Sequence, residues 1–272
     1  MSSVTGGVPD FLSLLRLDGR GFIVLGAGQG IGEQAAHALA QAGARVLCVD
    51  RDERLAAQIA AALPGGVACA ADVTSRLEMQ RVFQTARECF GRVQGVVDII
   101  GVAGIKPLSE VDDDSWNRQF DIVLRHAYLA IQIGGEVMAA DGGGTIAFVG
   151  SLSGHRAVPS QTAYAVSKAA LHHLVRCAGV EYARRGVRIN AVAPGYVRTP
   201  RLNARLDNVA WEAIGRVIPM GRPATPAEIA GPLLFLSSDL SAHMTGEVIG
   251  VDGGASVIAA FPDVKFAPAA TP

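Results

Sequence analysis

The chain has 272 residues, of which 50% are hydrophobic and 18% are charged, and its formal net charge is −1. A chain of this length can bury a substantial core, as one large domain or two small ones. Lysine and arginine (24) almost balance aspartate and glutamate (25), so no basic excess is available to neutralise the phosphates of a nucleic acid. We therefore expect no nucleic-acid partner.

The cysteines and the chain ends favour a cytoplasmic protein without a membrane anchor. No apolar run reaches the roughly 18 residues that a bilayer span needs, and residues 1–18 are interpreted as an N-terminal extension rather than a secretory signal. The proline-bearing segment 259–272 is predicted to be an irregular tail. The cysteines form no Cys-x-x-Cys pair, so we expect reduced thiols and no metal site. They are Cys48, Cys69, Cys89 and Cys177.

Short apolar segments alternate with segments of helical periodicity over residues 19–258. The predicted strands are 21–25, 45–49, 66–70, 95–100, 145–150, 187–192 and 247–251. The predicted helices lie near 30–43, 52–62, 75–90, 112–140, 161–185 and 226–238. Most of the strands are apolar throughout, as expected where helices cover both faces of a parallel sheet. The sequence therefore predicts a single doubly wound α/β domain with a mainly parallel seven-stranded sheet.

A glycine-rich segment, GAGQGIG, follows the first predicted strand and opens the first predicted helix. Its glycines are Gly26, Gly28, Gly30 and Gly32. Glycines let the backbone approach a pyrophosphate closely, and the free amides at the start of a helix complement its charge. A tight structural turn would explain the same glycines, but their position between strand and helix favours a dinucleotide site.

Two carboxylates follow the second and third predicted strands. Asp50 ends the segment VLCVD, where it can accept both hydrogen bonds of an adenosine ribose and would repel the 2′-phosphate of NADP. We therefore expect NAD, although Arg51 offers a partner for that phosphate and a role as helix N-cap would also explain Asp50. Asp72 is placed to reach an adenine amine, and helix capping by Asp72 or Ser75 is an equal alternative.

The segment AYAVSKAAL places Tyr164 and Lys168 four residues apart, on one face of a predicted helix. A free phenol titrates near about pH 10, and an ammonium one turn away is expected to lower its pKa so that it can serve as a base. Ser151 ends a predicted strand and is expected to hold the substrate oxygen in the same crevice. A purely structural explanation is that Tyr164 and Lys168 are neighbours on a helix surface and that Ser151 caps a helix. With the glycine-rich segment upstream, the sequence favours hydride transfer between a nicotinamide and an alcohol or carbonyl.

The segment 196–225 follows the end of the sixth predicted strand and carries three prolines. In open α/β sheets the ligand crevice lies beyond the carboxyl ends of the strands, so we interpret this segment as a substrate lid. Its large side chains hint at a bulky apolar alcohol, and core packing explains them equally well. They are Tyr196, Leu202, Leu206, Trp211 and Ile214.

Taken in order, these segments resemble the short-chain dehydrogenase/reductase family over about residues 18–256. The resemblance rests on GAGQGIG, Asp72-Val73, Ser151, YAVSK, RINAVAPGYVRTP and VDGG. It implies a Rossmann-type fold, NAD(P)-dependent oxidation or reduction of an alcohol/carbonyl pair, and a homo-oligomer, either a tetramer or a dimer. It also implies that Ser151, Tyr164 and Lys168 are the catalytic residues.

The same resemblance implies the residues that bind the cofactor. Lys168 would contact the nicotinamide ribose, and Val197 and Thr199 in PGYVRT would contact the nicotinamide carboxamide. The complete implied set is Gly26, Gly28, Gly30, Ile31, Asp50, Asp72, Val73, Ile99, Tyr164, Lys168, Val197 and Thr199.

Three positions depart from the family pattern. Leu25 stands where the family has threonine, and DIIG (98–101) stands where it has Asn-Asn-Ala-Gly, so the usual threonine–asparagine contact cannot form. The charge of Asp98 needs a backbone amide or a water. Val123 stands where the family has a catalytic asparagine that holds a water beside the lysine, and valine cannot hold it. His126, three residues later, is expected to be structural.

The leading hypothesis is an NAD-dependent oxidoreductase of a secondary alcohol or ketone, with a bulky apolar substrate such as a terpenoid, steroid or aromatic carbinol. The departures at Val123 and 98–101 keep a second hypothesis open, a catalytically impaired nucleotide-binding scaffold or redox sensor. A third keeps the enzyme and changes the reaction, to that of a dihydrodiol dehydrogenase or an epimerase.

Overall fold

The predicted strands all form, and they build one sheet. The structure, a computed structural model, describes residues 7–258. The strands are β1 (Gly21–Leu25), β2 (Arg45–Asp50), β3 (Val67–Ala70), β4 (Gly95–Asp98), β5 (Gly144–Val149), β6 (Val187–Pro194) and β7 (Val248–Val251). Their order is β3-β2-β1-β4-β5-β6-β7, and every neighbouring pair is parallel. The predicted doubly wound, Rossmann-type sheet is confirmed, and within the described residues it is parallel throughout.

Helices cover both faces of this sheet. They are α1 (Ile31–Gln41), α2 (Glu53–Ala61), α3 (Arg76–Phe90), α4 (Asp113–Phe120), α5 (His126–Leu129), α6 (Gly135–Ala140), α7 (Thr162–Ala183), α8 (Pro200–Asn203), α9 (Asn208–Arg216) and α10 (Pro226–Ser237). Several begin at a side chain that accepts a free backbone amide of the first turn. These capping residues include Asp52, Ser75, Asp112, Thr199 and Thr225.

The predicted helix over 112–140 forms a continuous helical stretch with two π-helical turns, Asp121–Arg125 and Ala130–Gly134. A π-helical turn inserts one residue and changes the direction in which the following side chains point. Val123 lies in the first of these turns and is fully buried, and His126 begins α5 directly after it.

Successive side chains of β1 point to opposite faces of the sheet and contribute to two apolar layers. Ile23 and Leu25 join one core cluster with α3 and α7, whereas Phe22 and Val24 join another with α1 and α10. Fully burying a side chain of this size stabilises the fold by about 1.5–3 kcal/mol each. No helix among residues 7–258 combines the length and apolar character needed to cross a bilayer.

Because the strands are parallel, their carboxyl ends open on one edge of the sheet, where ligands bind in folds of this kind. Leu25, Asp50, Asp98 and Val149 end β1, β2, β4 and β5 at this edge. The predicted tail 259–272 lies outside the described residues, as does the start of the predicted N-terminal extension.

Candidate active site

The three predicted catalytic residues meet at the carboxyl end of β5 and the start of α7. Ser151 lies two residues after β5, while Tyr164 and Lys168 lie on successive turns of α7. Nζ of Lys168 lies 5.9 Å from the centre of the Tyr164 ring. The structure therefore brings the amine, the phenol and the hydroxyl into one small region, as the sequence predicts.

The Lys168 side chain is buried, and its Nζ donates a 2.7 Å hydrogen bond to the carbonyl oxygen of Val149. Gly101 makes room for it, because a Cβ at that position would lie 2.9 Å from Nζ. Burial lowers the pKa of Lys168 to about 8, and the negative charge of Asp98 opposes this shift. A buried amine of this kind can exchange a proton close to neutral pH.

The phenol of Tyr164 differs from the sequence expectation. Its pKa is raised because the ring is partly withdrawn from water, and the Ser151 side chain acts in the opposite direction. The Nζ of Lys168 donates its hydrogen bond to the carbonyl oxygen of Val149. The net lowering of this pKa expected from the sequence is therefore not found, because burial of the phenol outweighs the opposing effect.

His172, one turn beyond Lys168 on α7, supports the serine loop. Its Nε2 accepts a hydrogen bond from the backbone N–H of Ser151 at 3.3 Å. Gly150 and Gly154 lie so close to its ring that a Cβ on either glycine would collide with it. Burial, reinforced by nearby positive groups, lowers the pKa of His172 to about 3, so the ring is a neutral acceptor. Sequence reasoning missed this residue.

The glycine-rich segment and Asp50 form a single unit at the ends of β1 and β2. Oδ2 of Asp50 accepts from Gly28 N at 3.0 Å, and Oδ1 accepts from Asp52 N at 3.0 Å. A Cβ on Gly28 would lie 2.6 Å from Oδ2, and a Cβ on Gly32 would collide with the carbonyl of Gly26. The cap of α2 is Asp52, so the alternative role of Asp50 as an N-cap was wrong.

The carboxylate of Asp72 shapes the loop after β3. Its Oδ1 accepts from both the N–H and the hydroxyl of Thr74, at 3.0 and 2.7 Å, and these bonds lower its pKa. Ser75, rather than Asp72, caps α3, since its hydroxyl accepts from Glu78 N at 3.5 Å. Asp72 is exposed at the crevice edge while the neighbouring Val73 is buried.

Backbone pairing closes the base of the predicted lid. Val197 forms a parallel bridge with Ala224, in which Arg198 N donates to Ala224 O at 2.8 Å. Thr199 caps α8, and its Cβ lies 3.6 Å from where a Cβ on Gly30 would stand. The start of the lid therefore packs directly on the glycine-rich segment.

A cavity of about 1120 Å³ lies beside α9 within the lid. Its walls include the apolar side chains of Trp211, Ile218 and Pro219, and it also reaches Arg156 in the loop that follows Ser151. The three predicted catalytic side chains do not line it, and Arg156 connects it through the chain to the Ser151 loop.

Asp98 and His126 form a buried pair at the end of β4. Nδ1 of His126 lies 2.8 Å from Oδ2 of Asp98, and Ile100 N donates to Oδ1 at 3.0 Å. The expected backbone amide is thus present, while the histidine was not foreseen as a partner. The sequence signal that could have revealed this pair was the presence of Asp98 at a family asparagine position together with His126 close to the departure at Val123.

The residues at the carboxyl edge fit a dinucleotide. Only glycine at position 28 lets the backbone approach the carboxylate of Asp50, and the amides at the start of α1 suit a pyrophosphate. Within residues 7–258 no group of three or more His, Cys, Asp and Glu side chains could hold a metal ion.

Comparison with known proteins agrees with this geometry. A family model described as enoyl-(acyl carrier protein) reductase matches residues 26–256. Galactitol 2-dehydrogenase (L-tagatose-forming) of Cereibacter sphaeroides is 37% identical, over 91% of this chain and 99% of that protein. The 3-oxoacyl-[acyl-carrier-protein] reductase of Thermotoga maritima is 34% identical, over 88% of this chain and 99% of that protein.

Among solved structures, a 7α-hydroxysteroid dehydrogenase complexed with NADH and 7-oxo glycochenodeoxycholic acid superposes with a TM-score of 0.85. It is 30% identical and covers 89% of this chain and 96% of that one. The chain belongs to the short-chain dehydrogenase/reductase family and is an oxidoreductase acting on CH–OH groups.

Proposed function

We propose that this enzyme is an NAD-dependent dehydrogenase that interconverts a bulky, apolar secondary alcohol and its ketone. The observation that carries the proposal is the grouping of Tyr164, Lys168 and Ser151 beside the glycine-rich segment and Asp50. The steroid dehydrogenase noted above, whose structure holds a ring-system ketone, supports a bulky substrate. A cavity of about 1120 Å³ with Trp211 in its wall has room for one.

Each protein group has a distinct task in this proposal. When bound, a nicotinamide cofactor supplies the hydride chemistry. The Ser151 hydroxyl holds the substrate oxygen, and the Tyr164 phenolic oxygen takes up or returns its proton. Lys168 places positive charge near that phenol, and Val149 fixes the amine through its carbonyl. His172 holds the Ser151 backbone and thereby the position of the hydroxyl.

NAD is preferred to NADP in this proposal because of the carboxylate at the end of β2. Asp50 already accepts two backbone amides, which fix its position and its orientation toward the glycine-rich segment. A negative charge fixed there repels a 2′-phosphate and accepts bonds from ribose hydroxyls. Asp72, Val73, Ile31 and Ile99 complete the proposed cofactor contacts.

A homo-oligomer and a cytoplasmic location belong to the same proposal. The four cysteines are free, which fits a reducing compartment. The family resemblance supports a tetramer or a dimer. Light scattering on the purified full chain gives the assembly directly, and a monomeric mass at micromolar concentration would contradict that part of the proposal.

Tyr164→Phe tests the central assignment. The variant removes the one atom that exchanges the proton, so turnover of a secondary-alcohol panel with NAD should fall by roughly 10²–10⁴-fold, while NADH binding measured by fluorescence stays close to wild type. Tyr128→Phe, on the exposed side of α5, is the matched control and should leave turnover unchanged. Turnover retained in Tyr164→Phe would refute the assigned base.

A further inference from the structure

The cavity beside α9 concentrates positive charge that the proposed hydride transfer does not use. Four arginines and a single carboxylate lie in its walls. These residues are Arg156, Arg198, Arg216, Arg222 and Glu212. A cavity that bound only an apolar substrate would not need four guanidinium groups. The question is therefore which of these arginines are already paired with a carboxylate of the chain.

Two of the four arginines face carboxylates of the chain itself. Arg222 donates two hydrogen bonds to Glu228, at 2.9 and 2.6 Å. Arg216 lies one helical turn from Glu212, with a closest nitrogen–oxygen distance of 3.9 Å. Each of these two arginines therefore has a carboxylate of the chain as its partner, in α10 for Arg222 and in α9 for Arg216.

The other two have no carboxylate partner among residues 7–258. Arg156 donates to the carbonyl oxygens of Ser256 and Ile258, which hold the guanidinium in place without cancelling its charge. Arg198 lies over the ring of Trp211, with Cζ 5.0 Å from the ring centre. A guanidinium stacked in this way keeps its edge N–H groups available to a ligand.

Both uncompensated arginines lie on segments that border the catalytic groups. Arg156 comes five residues after Ser151, and Arg198 directly precedes Thr199, which packs against Gly30 of the glycine-rich segment. A substrate whose carbonyl reaches Tyr164 and whose remainder extends into the cavity would therefore meet two fixed positive charges at a distance from the reacting carbon.

We propose that the substrate is a bulky alcohol or ketone whose otherwise apolar body carries an oxyanionic group, a carboxylate, sulfonate or phosphate, at the end remote from the reacting carbon, and that Arg156 and Arg198 bind this group. The proposal rests on the proposed function, since it names the substrate class of that enzyme. The planar guanidinium presents paired N–H donors whose spacing matches the two oxygens of such an anion.

The test uses matched ketones with the NAD(H)-loaded full-length enzyme. 4-Acetylbenzoate and its methyl ester share one aryl ketone and differ in the charge, and 4-acetylbenzenesulfonate and 4-acetylphenyl phosphate distinguish the kinds of anion. The loss of NADH absorbance gives kcat/KM for each. We expect the charged ketones to exceed the ester, and the acid-to-ester ratio to fall about 10- to 100-fold in Arg156→Gln/Arg198→Gln.

Arg205→Gln is the control, an exposed lid arginine outside the cavity, and should keep the wild-type ratio. A wild-type ratio near one, or a loss in the double variant that is equal for acid and ester, would overturn the proposal. If no ketone of the panel is reduced, the proposed function fails independently of the anion site. A binding measurement then tests the anion site itself. In a Trp116→Phe background, which leaves Trp211 as the only tryptophan, quenching of its fluorescence by 4-acetylbenzoate that weakens in the double variant supports the anion site, whereas equal quenching by the ester overturns it.

Discussion

Nδ1 of His126 and Oδ2 of Asp98 lie 2.8 Å apart in a pocket where both side chains are almost fully buried. The register of the sheet pairs Asp98 with Leu25, which offers no polar group. The carboxylate therefore depends on His126 and on the N–H of Ile100 for its hydrogen bonds. The presence of Asp98 and that of His126 account for each other, because burying either polar side chain without a partner would cost free energy of folding.

The free energy of unfolding should reveal this dependence. His126→Leu leaves a buried carboxylate with only the Ile100 amide, so we expect a loss of about 3 kcal/mol in urea unfolding. Adding Asp98→Asn removes the charge that needs a partner, and the double variant should be more stable than His126→Leu alone. Strictly additive losses would contradict the coupling.

The pH dependence of catalysis should respond to Asp98 as well. Burial lowers the pKa of Lys168 to about 8, and the Asp98 charge counteracts this. In Asp98→Asn that support is lost, so the lysine gives up its proton at lower pH. Where the wild-type rate of ketone reduction declines as pH rises through about 8, the variant should decline earlier, with a rate at pH 8 reduced by a factor on the order of 3.

The control for this profile is Asp121→Asn, which removes an exposed carboxylate from the same helical stretch. In this variant the rate of ketone reduction should decline with rising pH over the same range as in the wild type. An Asp98→Asn profile that coincides with the wild type would show that the aspartate does not act on Lys168.

The sequence predicted the sheet well because continuous apolar strands and strand-to-helix alternation have few other solutions. The proximity of Ser151, Tyr164 and Lys168 could be predicted because their spacing along one strand end and one helix is local information. The contacts of His126, which was expected only to be structural, and of His172 were not predicted, because their partners, Asp98 and the Ser151 amide, are 28 and 21 residues away. The raised pKa of Tyr164 was also out of reach, since it follows from burial.

Acid should destabilise the fold through His172. Its pKa falls from 6.5 to about 3 on folding, because of burial and, secondarily, positive neighbours. Between these values the unfolded chain binds a proton that the native chain does not, so stability decreases as pH falls, by up to about 1.4 kcal/mol per pH unit. His172→Gln keeps an acceptor for Ser151 N and cannot titrate, so its unfolding free energy should fall less steeply below pH 6.5.

His173→Gln, its exposed neighbour on α7, is the matched control and should show the wild-type slope. Urea unfolding at a series of pH values measures all three proteins. If the free energy of unfolding falls with decreasing pH as steeply in His172→Gln as in the wild type, then His172 does not cause the acid destabilisation.

Cofactor choice should depend on the charge of Asp50. Its two oxygens are fixed by Gly28 N and Asp52 N, and in the proposed cofactor site the carboxylate would face the 2′ position of the ribose. Asp50→Asn keeps the shape and removes the negative charge, which relieves the repulsion and weakens the bonds accepted from the ribose. We expect the ratio of kcat/KM for NAD to that for NADP to fall by roughly tenfold or more.

Asp52→Ser separates this effect from the stability of α2. Asp52 caps that helix through Leu55 N, and serine is also a good cap, so the variant should fold normally with the wild-type cofactor ratio. Because Asp52 lies two residues from Asp50 and carries the same charge, an equal change in both variants would point to the general field of the β2–α2 turn. A change confined to Asp50→Asn places the selectivity in the one carboxylate that the Gly28 amide holds.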